Sequence, residues 1–197
     1  MRYFYRIICL IALSSQIACS PVNTIQVFDQ QQAAILLNEH MNTKPTAQRI
    51  ALHLPKKSHW RRLDMSLIGK GSPIMLVPQD QTEQNWQESI RTYIRSYTNE
   101  PDMTAQEFML NDWQDLKAHC KRVATNIIES DRDTILYRSK LSGCKLEHDQ
   151  IRITRVFNGE DAVYAVYYSA LPNAATSSHL ALMEAVIANT QLVRQPG

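Results

Sequence analysis

Apolar positions along this chain recur in two rhythms, one helical and one alternating, and the change from one to the other marks out its elements. Residues 29–41 carry an apolar side made by Ile35, Leu36 and Leu37 and predict a helix that ends in the polar stretch 42–45. Residues 49–54 read as a short strand ahead of Pro55. Two further strands, 63–68 and 74–77, flank Gly69-Lys70-Gly71-Ser72-Pro73, which has the chemistry of a hairpin turn and lacks the spacing of a phosphate-binding loop. Beyond a polar run at 79–85, Trp86, Ile90, Tyr93, Ile94 and Tyr97 fall on one face at helical spacing and predict a second helix. Thr104 and Glu107 fit a capping box, and Met109, Trp113, Leu116, Cys120 and Val123 extend a third helix behind it.

The rhythm then turns to strands. Residues 134–141 predict one, closed by a turn at Ser142-Gly143-Cys144. Residues 150–157 and 162–170 predict two more, joined by Asn158-Gly159-Glu160-Asp161, the strongest hairpin signal in the chain. Val163, Tyr164, Val166, Tyr167 and Tyr168 leave neither face of the second strand polar, so it should be central in its sheet. Ser177 or Ser178 can cap a last helix, where Leu180, Met183, Val186 and Ile187 give a broad buried face before a tail from Arg194. Helix, two or three strands, two helices, three strands and a helix make an α+β fold, an antiparallel sheet with helices packed on it. With no internal repeat and no low-complexity linker, residues 29–197 read as a single domain. Its hairpin, its proline, Asn85-Trp86, the strand pair around Cys144 and the final helix resemble the Mog1/PsbP-like fold. That resemblance implies binding and assembly roles and supplies no catalytic residues.

The first twenty residues change the picture by giving the domain an address. Arg2 and Arg6 precede an apolar core at 7–13, and small residues follow as far as Ala18, the anatomy of an export signal. The core is too short for a finished membrane-spanning helix. Gln16-Ile17-Ala18-Cys19 resembles the lipobox of bacterial lipoproteins, with Gln16 where that family usually has Leu. The resemblance implies a signal peptide over 1–18, lipidation of Cys19 as the new N-terminus, and a short tether over 19–28. Ser20, not being aspartate, implies sorting to the outer membrane, on its periplasmic face. Two other readings stay open, ordinary signal cleavage and an uncleaved leader in which Cys19 is only an apolar residue. Gln16 disfavours a cut after Ala18, and Pro21 disfavours one after Ser20.

Charge and cysteine count follow from that leader. Of 21 Lys plus Arg, Arg2 and Arg6 leave with it, so the mature chain balances its 19 Asp plus Glu and has no basic footprint for nucleic acid. Of 4 cysteines, Cys9 leaves and Cys19 is claimed by lipid, so Cys120 and Cys144 are the mature thiols. In an oxidising periplasm they should form a structural disulfide.

Candidate chemistry is sparse. The 6 histidines, His40, His53, His59, His119, His148 and His179, include no His-x-x-x-His pair, so neither a metal site nor a cofactor is expected. No Gly-x-Ser-x-Gly turn is present, and His119 and Cys120, as helical neighbours, should point to different faces. Glu129, Asp131 and Asp133 fit a solvated connection. Lys56, Lys57, Arg61 and Arg62 around His59 and Trp60 read either as a headgroup or partner contact or as a solvated loop with Trp60 in the core. The chain is therefore expected to be no enzyme, with no catalytic residue. Its expected partners are the outer membrane, through the lipid, and other envelope proteins. In size, leader and layout it is similar to accessory outer-membrane lipoproteins of type IV secretion systems, the Dot/Icm kind included. The alternatives are a module binding a small ligand or a peptidoglycan fragment, for which the 8 tyrosines and 3 tryptophans could line a pocket, and a hydrolase with dispersed residues.

Overall fold

A computed structural model describes residues 25–27, 48–55, 60–63, 74–82, 84–97, 103–145 and 148–194. The leader with Cys19, the helix expected at 29–41 and the turn expected at 69–73 lie outside them. In chain order the elements are β1 (Ile25–Val27), β2 (Gln48–Ala51), β3 (His53–Pro55), β4 (Trp60–Leu63), β5 (Ile74–Pro78), β6 (Glu88–Ser96), α1 (Ala105–His119), β7 (Cys120–Ser130), β8 (Thr134–Cys144), β9 (Gln150–Asn158), β10 (Ala162–Ala170), α2 (Ser177–Ala188) and β11 (Gln191–Arg194). Seven strands form one antiparallel sheet in the order β4-β5-β6-β10-β9-β8-β7, and two ribbons, β1 with β3 and β11 with β2, stand beside it.

Alternation along the central strand explains why each helix lies on a different face. Tyr164, Val166 and Tyr168 of β10 pack with Ile90, Ile153 and Phe157 against Met183, Val186 and Ile187 of α2. Val163 and Ala165, pointing the other way, pack with Ile135, Tyr137 and Val156 against Ala105 and Phe108 of α1. Both faces of β10 are covered, which is why its sequence shows no polar side; the strand is central, as that pattern predicts. Tyr137, Tyr164 and Tyr168 are among the largest fully buried side chains, so these aromatics fill the core.

The expected α+β sheet is present, with three corrections. First, the strand β6 (Glu88–Ser96) stands where a helix carrying Trp86 to Tyr97 was expected. Ile90 and Ile94 face α2 while Tyr93 and Tyr97 face α1, and the spacing of these residues satisfies both periods. β-Branched and aromatic content favours the strand, and nine residue pairs with β10 settle it. Second, α1 stops at His119, short of Val123. Cys120 adopts extended geometry with its N–H donating to Leu116 O, and the Val-Ala-Thr-Asn-Ile-Ile run that follows pairs along β8. Third, β8 continues through the turn expected at Ser142-Gly143-Cys144, and Gly143, at φ 66, lets it do so.

Smaller differences have local causes. Residues 49–54 form two strands that part to different partners, β11 and β1. Leu192 and Val193 lie in β11, a strand hidden from sequence because its four residues make sense only opposite β2. Thr176, one residue before the expected serines, caps α2 by accepting from His179 N at 3.3 Å. Thr104 and Glu107 form the expected capping box. Trp60 packs on the core, as one reading of the basic cluster had it, and Arg61 donates to Gln81 O. Lys56, Lys57 and His59 lie outside the described residues.

The β9–β10 hairpin carries more than its turn. Asn158 Oδ1 accepts from Ala105 N at 2.6 Å and its Nδ2 donates to Arg132 O at 3.1 Å, so one side chain ties the start of α1 and the β7–β8 turn to this corner. Gly159 donates to Ala162 O, and a Cβ there would meet Tyr164 Cε2 at 2.4 Å and Ala162 O at 2.8 Å. Gly159→Ala is therefore expected to destabilise the domain by about 1–3 kcal/mol through overpacking. Urea denaturation checks it, and an unchanged midpoint would show that Tyr164 can give way.

Candidate functional site

Cys120 and Cys144 meet where helix turns into strand. Cys120, first residue of β7, lies directly opposite Cys144, last of β8, with Cα atoms 3.9 Å apart, and the two are joined in a disulfide. Leu116 and Leu141 pack around the bond. Cross-linking these positions fixes the end of the β7–β8 hairpin to the end of α1. His119 points elsewhere, with Nδ1 2.9 Å from Asp115 O, so it does not address the sulfur. At the far end of the same hairpin, Asp131 Oδ1 accepts from Asp133 N at 2.8 Å and Thr134 N at 2.7 Å. Those two bonds hold its carboxyl below the ordinary 3.8. The expected acidic connection is thus a turn braced by its own carboxylate.

Beneath α1 lies a polar cluster drawn from four elements. Asp112 projects from the helix; its Oδ2 accepts from Tyr137 of β8 at 2.8 Å and its Oδ1 from Arg152 of β9 at 3.2 Å. The Arg152 guanidinium lies 5.4 Å over the ring of Tyr167 of β10. Burial, and then the negative Asp112, push the Tyr137 and Tyr167 hydroxyls well above their ordinary range. Both stay protonated at physiological pH and cannot act as phenolate bases; Tyr137 is the donor to Asp112. The arrangement clamps helix to sheet.

On the other face, a second cluster brings a histidine to a carboxylate. Glu88 opens β6, and its Oε2 accepts from Tyr168 of β10 at 2.8 Å and lies 2.6 Å from His179 Nε2 on α2. The Tyr168 hydroxyl is pushed up, first by burial and then by Glu88. Such a pair can fix a histidine's tautomer and orientation, as an acid–base site requires, or can simply seat α2 on the sheet. Sequence reasoning named His179 only as scattered and did not single out Glu88. The two are 91 positions apart and come together only through the β6–β10 pairing and the docking of α2. Among the described residues no group of three His, Cys, Asp or Glu could hold a metal ion, and no helix is long and apolar enough to cross a membrane.

The fold defines a class: an α+β protein with a seven-stranded antiparallel sheet and one helix on each face. No family model matches the chain, and no curated protein matches it. Among solved structures it is similar to that of cyanobacterial PsbP (CyanoP) from Synechocystis sp. PCC 6803, at 13% identity and a TM-score of 0.46, covering 80% of this chain and 99% of that one. It is also similar to the crystal structure of LpqN, involved in cell envelope biogenesis of Mycobacterium tuberculosis, at 15% identity and a TM-score of 0.45, covering 78% of this chain and 88% of that one. What this chain does has to be argued from its own residues.

Proposed function

We propose that this chain is a lipid-anchored envelope protein, held through Cys19 on the periplasmic face of the outer membrane. There it acts as a non-catalytic structural component of an outer-membrane assembly, of the secretion-system kind. The observation that carries the reading is the Cys120–Cys144 bond, because a structural disulfide belongs to an oxidising compartment. The leader, with Arg2, Arg6 and the apolar run ending at Ala18-Cys19, would deliver the chain to such a compartment. Tyr137, Tyr164 and Tyr168, three of the side chains that might have lined a ligand pocket, are instead spent on the core, which favours a working surface over a cavity.

Anchoring would restrict the domain closely. Ile25, which opens β1, follows Cys19 by six positions, a reach of about 20 Å when fully extended. The β1–β3 ribbon would then stay within that distance of the bilayer surface.

Intact mass of the full chain purified from bacterial membranes, beside a Cys19→Ala variant, tests the anchor. Mature protein beginning at Cys19 with added acyl mass, and release of the variant from the membrane fraction, are the expected results. An unmodified mass, or a variant still held there, would remove the anchor. Crosslinking in the same membranes tests the assembly, and capture of no envelope protein would count against it.

The hydrolase reading draws on one observation, the His179–Glu88 pair. Glu88→Gln separates the two. It should leave crosslinked partners unchanged if the pair is catalytic or merely seats α2, but abolish turnover of peptidoglycan or ester substrates only in the catalytic case.

A further inference from the structure

The sheet ends in β7, and no described strand pairs with its outer side. At eleven residues it is a long edge, and it exposes two large apolar side chains, Ile127 at 51% and Ile128 at 39%. Proteins usually blunt an edge with lysines, bulges or short strands, since its free N–H and C=O groups template further pairing. Here the bulge falls between Ile127 and Glu129, so the register with β8 runs unbroken from Cys120 to Ile127. Eight residues of regular edge are left.

The ladder fixes which backbone groups point outward. Lys145 N donates to His119 O, so in the antiparallel alternation the odd positions of this segment bond inward to β8. The N–H and C=O of Arg122, Ala124 and Asn126 therefore face out. Side-chain charge is divided along the same strand, with Lys121 and Arg122 at its start and Glu129 near its end. Two copies laid antiparallel about Thr125 would set Ala124 against Asn126 in hydrogen-bonded pairs. Val123 would meet Ile127 twice, on one face. Arg122 of each copy would lie near Glu129 of the other, on the face where Glu129 already meets Arg155 of its own chain at 3.8 Å, a match that a parallel arrangement would destroy.

We propose that β7 is a self-association edge, and that its occupant is β7 of a second copy of this chain, joined antiparallel about a two-fold axis at Thr125. The interface is isologous, as two-fold dimers require, and it makes one continuous sheet across both copies. It is independent of whether Cys19 carries lipid.

Cysteine placed at the axis tests the register in the full chain. Residue 125 would face its counterpart at a non-hydrogen-bonded position about 4.5 Å away, within disulfide range. Residue 121 would stand about 27 Å from its counterpart. On oxidation, Thr125→Cys is expected to run as a disulfide-linked dimer on a non-reducing gel, while Lys121→Cys stays monomeric. No dimer from Thr125→Cys, equal dimer from both, or linkage of Thr125→Cys to a different protein would each overturn the proposal. Light scattering of the purified chain gives a second reading that does not depend on a new thiol. The unsubstituted protein should be a dimer and Ile127→Lys a monomer with an unchanged circular dichroism spectrum; a monomeric unsubstituted protein would overturn the pairing.

Discussion

Asp112→Ala is expected to cost the domain about 3–5 kcal/mol, the loss that follows when one member of a buried ion pair is removed and its partner stays charged. Asp112 and Arg152 have side chains only 14% and 9% exposed, so water cannot readily replace the carboxylate. The same substitution takes the acceptor from the Tyr137 hydroxyl, which is buried under α1. Loss of the helix clamp should appear in urea denaturation as a lower midpoint at an unchanged slope. Replacing the pair together, Asp112→Leu with Arg152→Met, should recover most of the loss, because no buried charge is then stranded. A single variant within 1 kcal/mol of the parent would mean that Arg152 finds enough solvent, and the cluster would not be a clamp.

Replacing both Cys120 and Cys144 by serine is expected to cost about 3.5 kcal/mol, from the loop entropy that a bond across this separation removes from the unfolded chain. The sequence separation is 24, and the bond closes the β7–β8 hairpin onto the end of α1. Register within the hairpin should survive, since eight residue pairs hold it besides the bonded one. The effect should therefore be a lower stability with the same native structure, seen by comparing denaturation of the parent with and without reductant against the double variant. Reductant should lower the parent and leave the variant unmoved. If parent and variant unfold alike without reductant, the bond constrains nothing that the hairpin does not already constrain.

The two effects have different causes, and the difference bears on the proposed role. The ion pair acts in the folded state, where it joins helix to sheet; the disulfide acts mainly through the unfolded one. An envelope component outside the reach of cytoplasmic refolding would gain from both.

Elements specified by contiguous residues were legible in the sequence. Thr104 and Glu107 start α1 through bonds within one helical turn. Asn158 to Asp161 close the β9–β10 hairpin, and the doubly apolar pattern of 162–170 marks the central strand, because burial on both faces leaves no place for polar residues. Cysteine count, given the leader, pointed to the Cys120–Cys144 pair that the fold joins. These features depend on local geometry or on a tally, and both are written in the order of residues.

Tertiary structure decided the rest. The spacing of Ile90, Tyr93 and Ile94 fits both a helical and an extended reading, and pairing with β10, some seventy residues on, settles the strand that their β-branched and aromatic content favours. The apolar spacing at Leu116, Cys120 and Val123 carries no sign of the break at His119, which the pairing of β7 with β8 imposes. Glu88 and His179, Asp112 and Arg152, and the outward edge of β7 are contacts and exposures created by docking, so no spacing in the sequence encodes them. The sequence by itself determined the α+β class, the central strand and the cysteine pairing. Which residues meet across the sheet, and which strand is left at its edge, followed from long-range pairing, whose energy is gained only once distant segments are side by side.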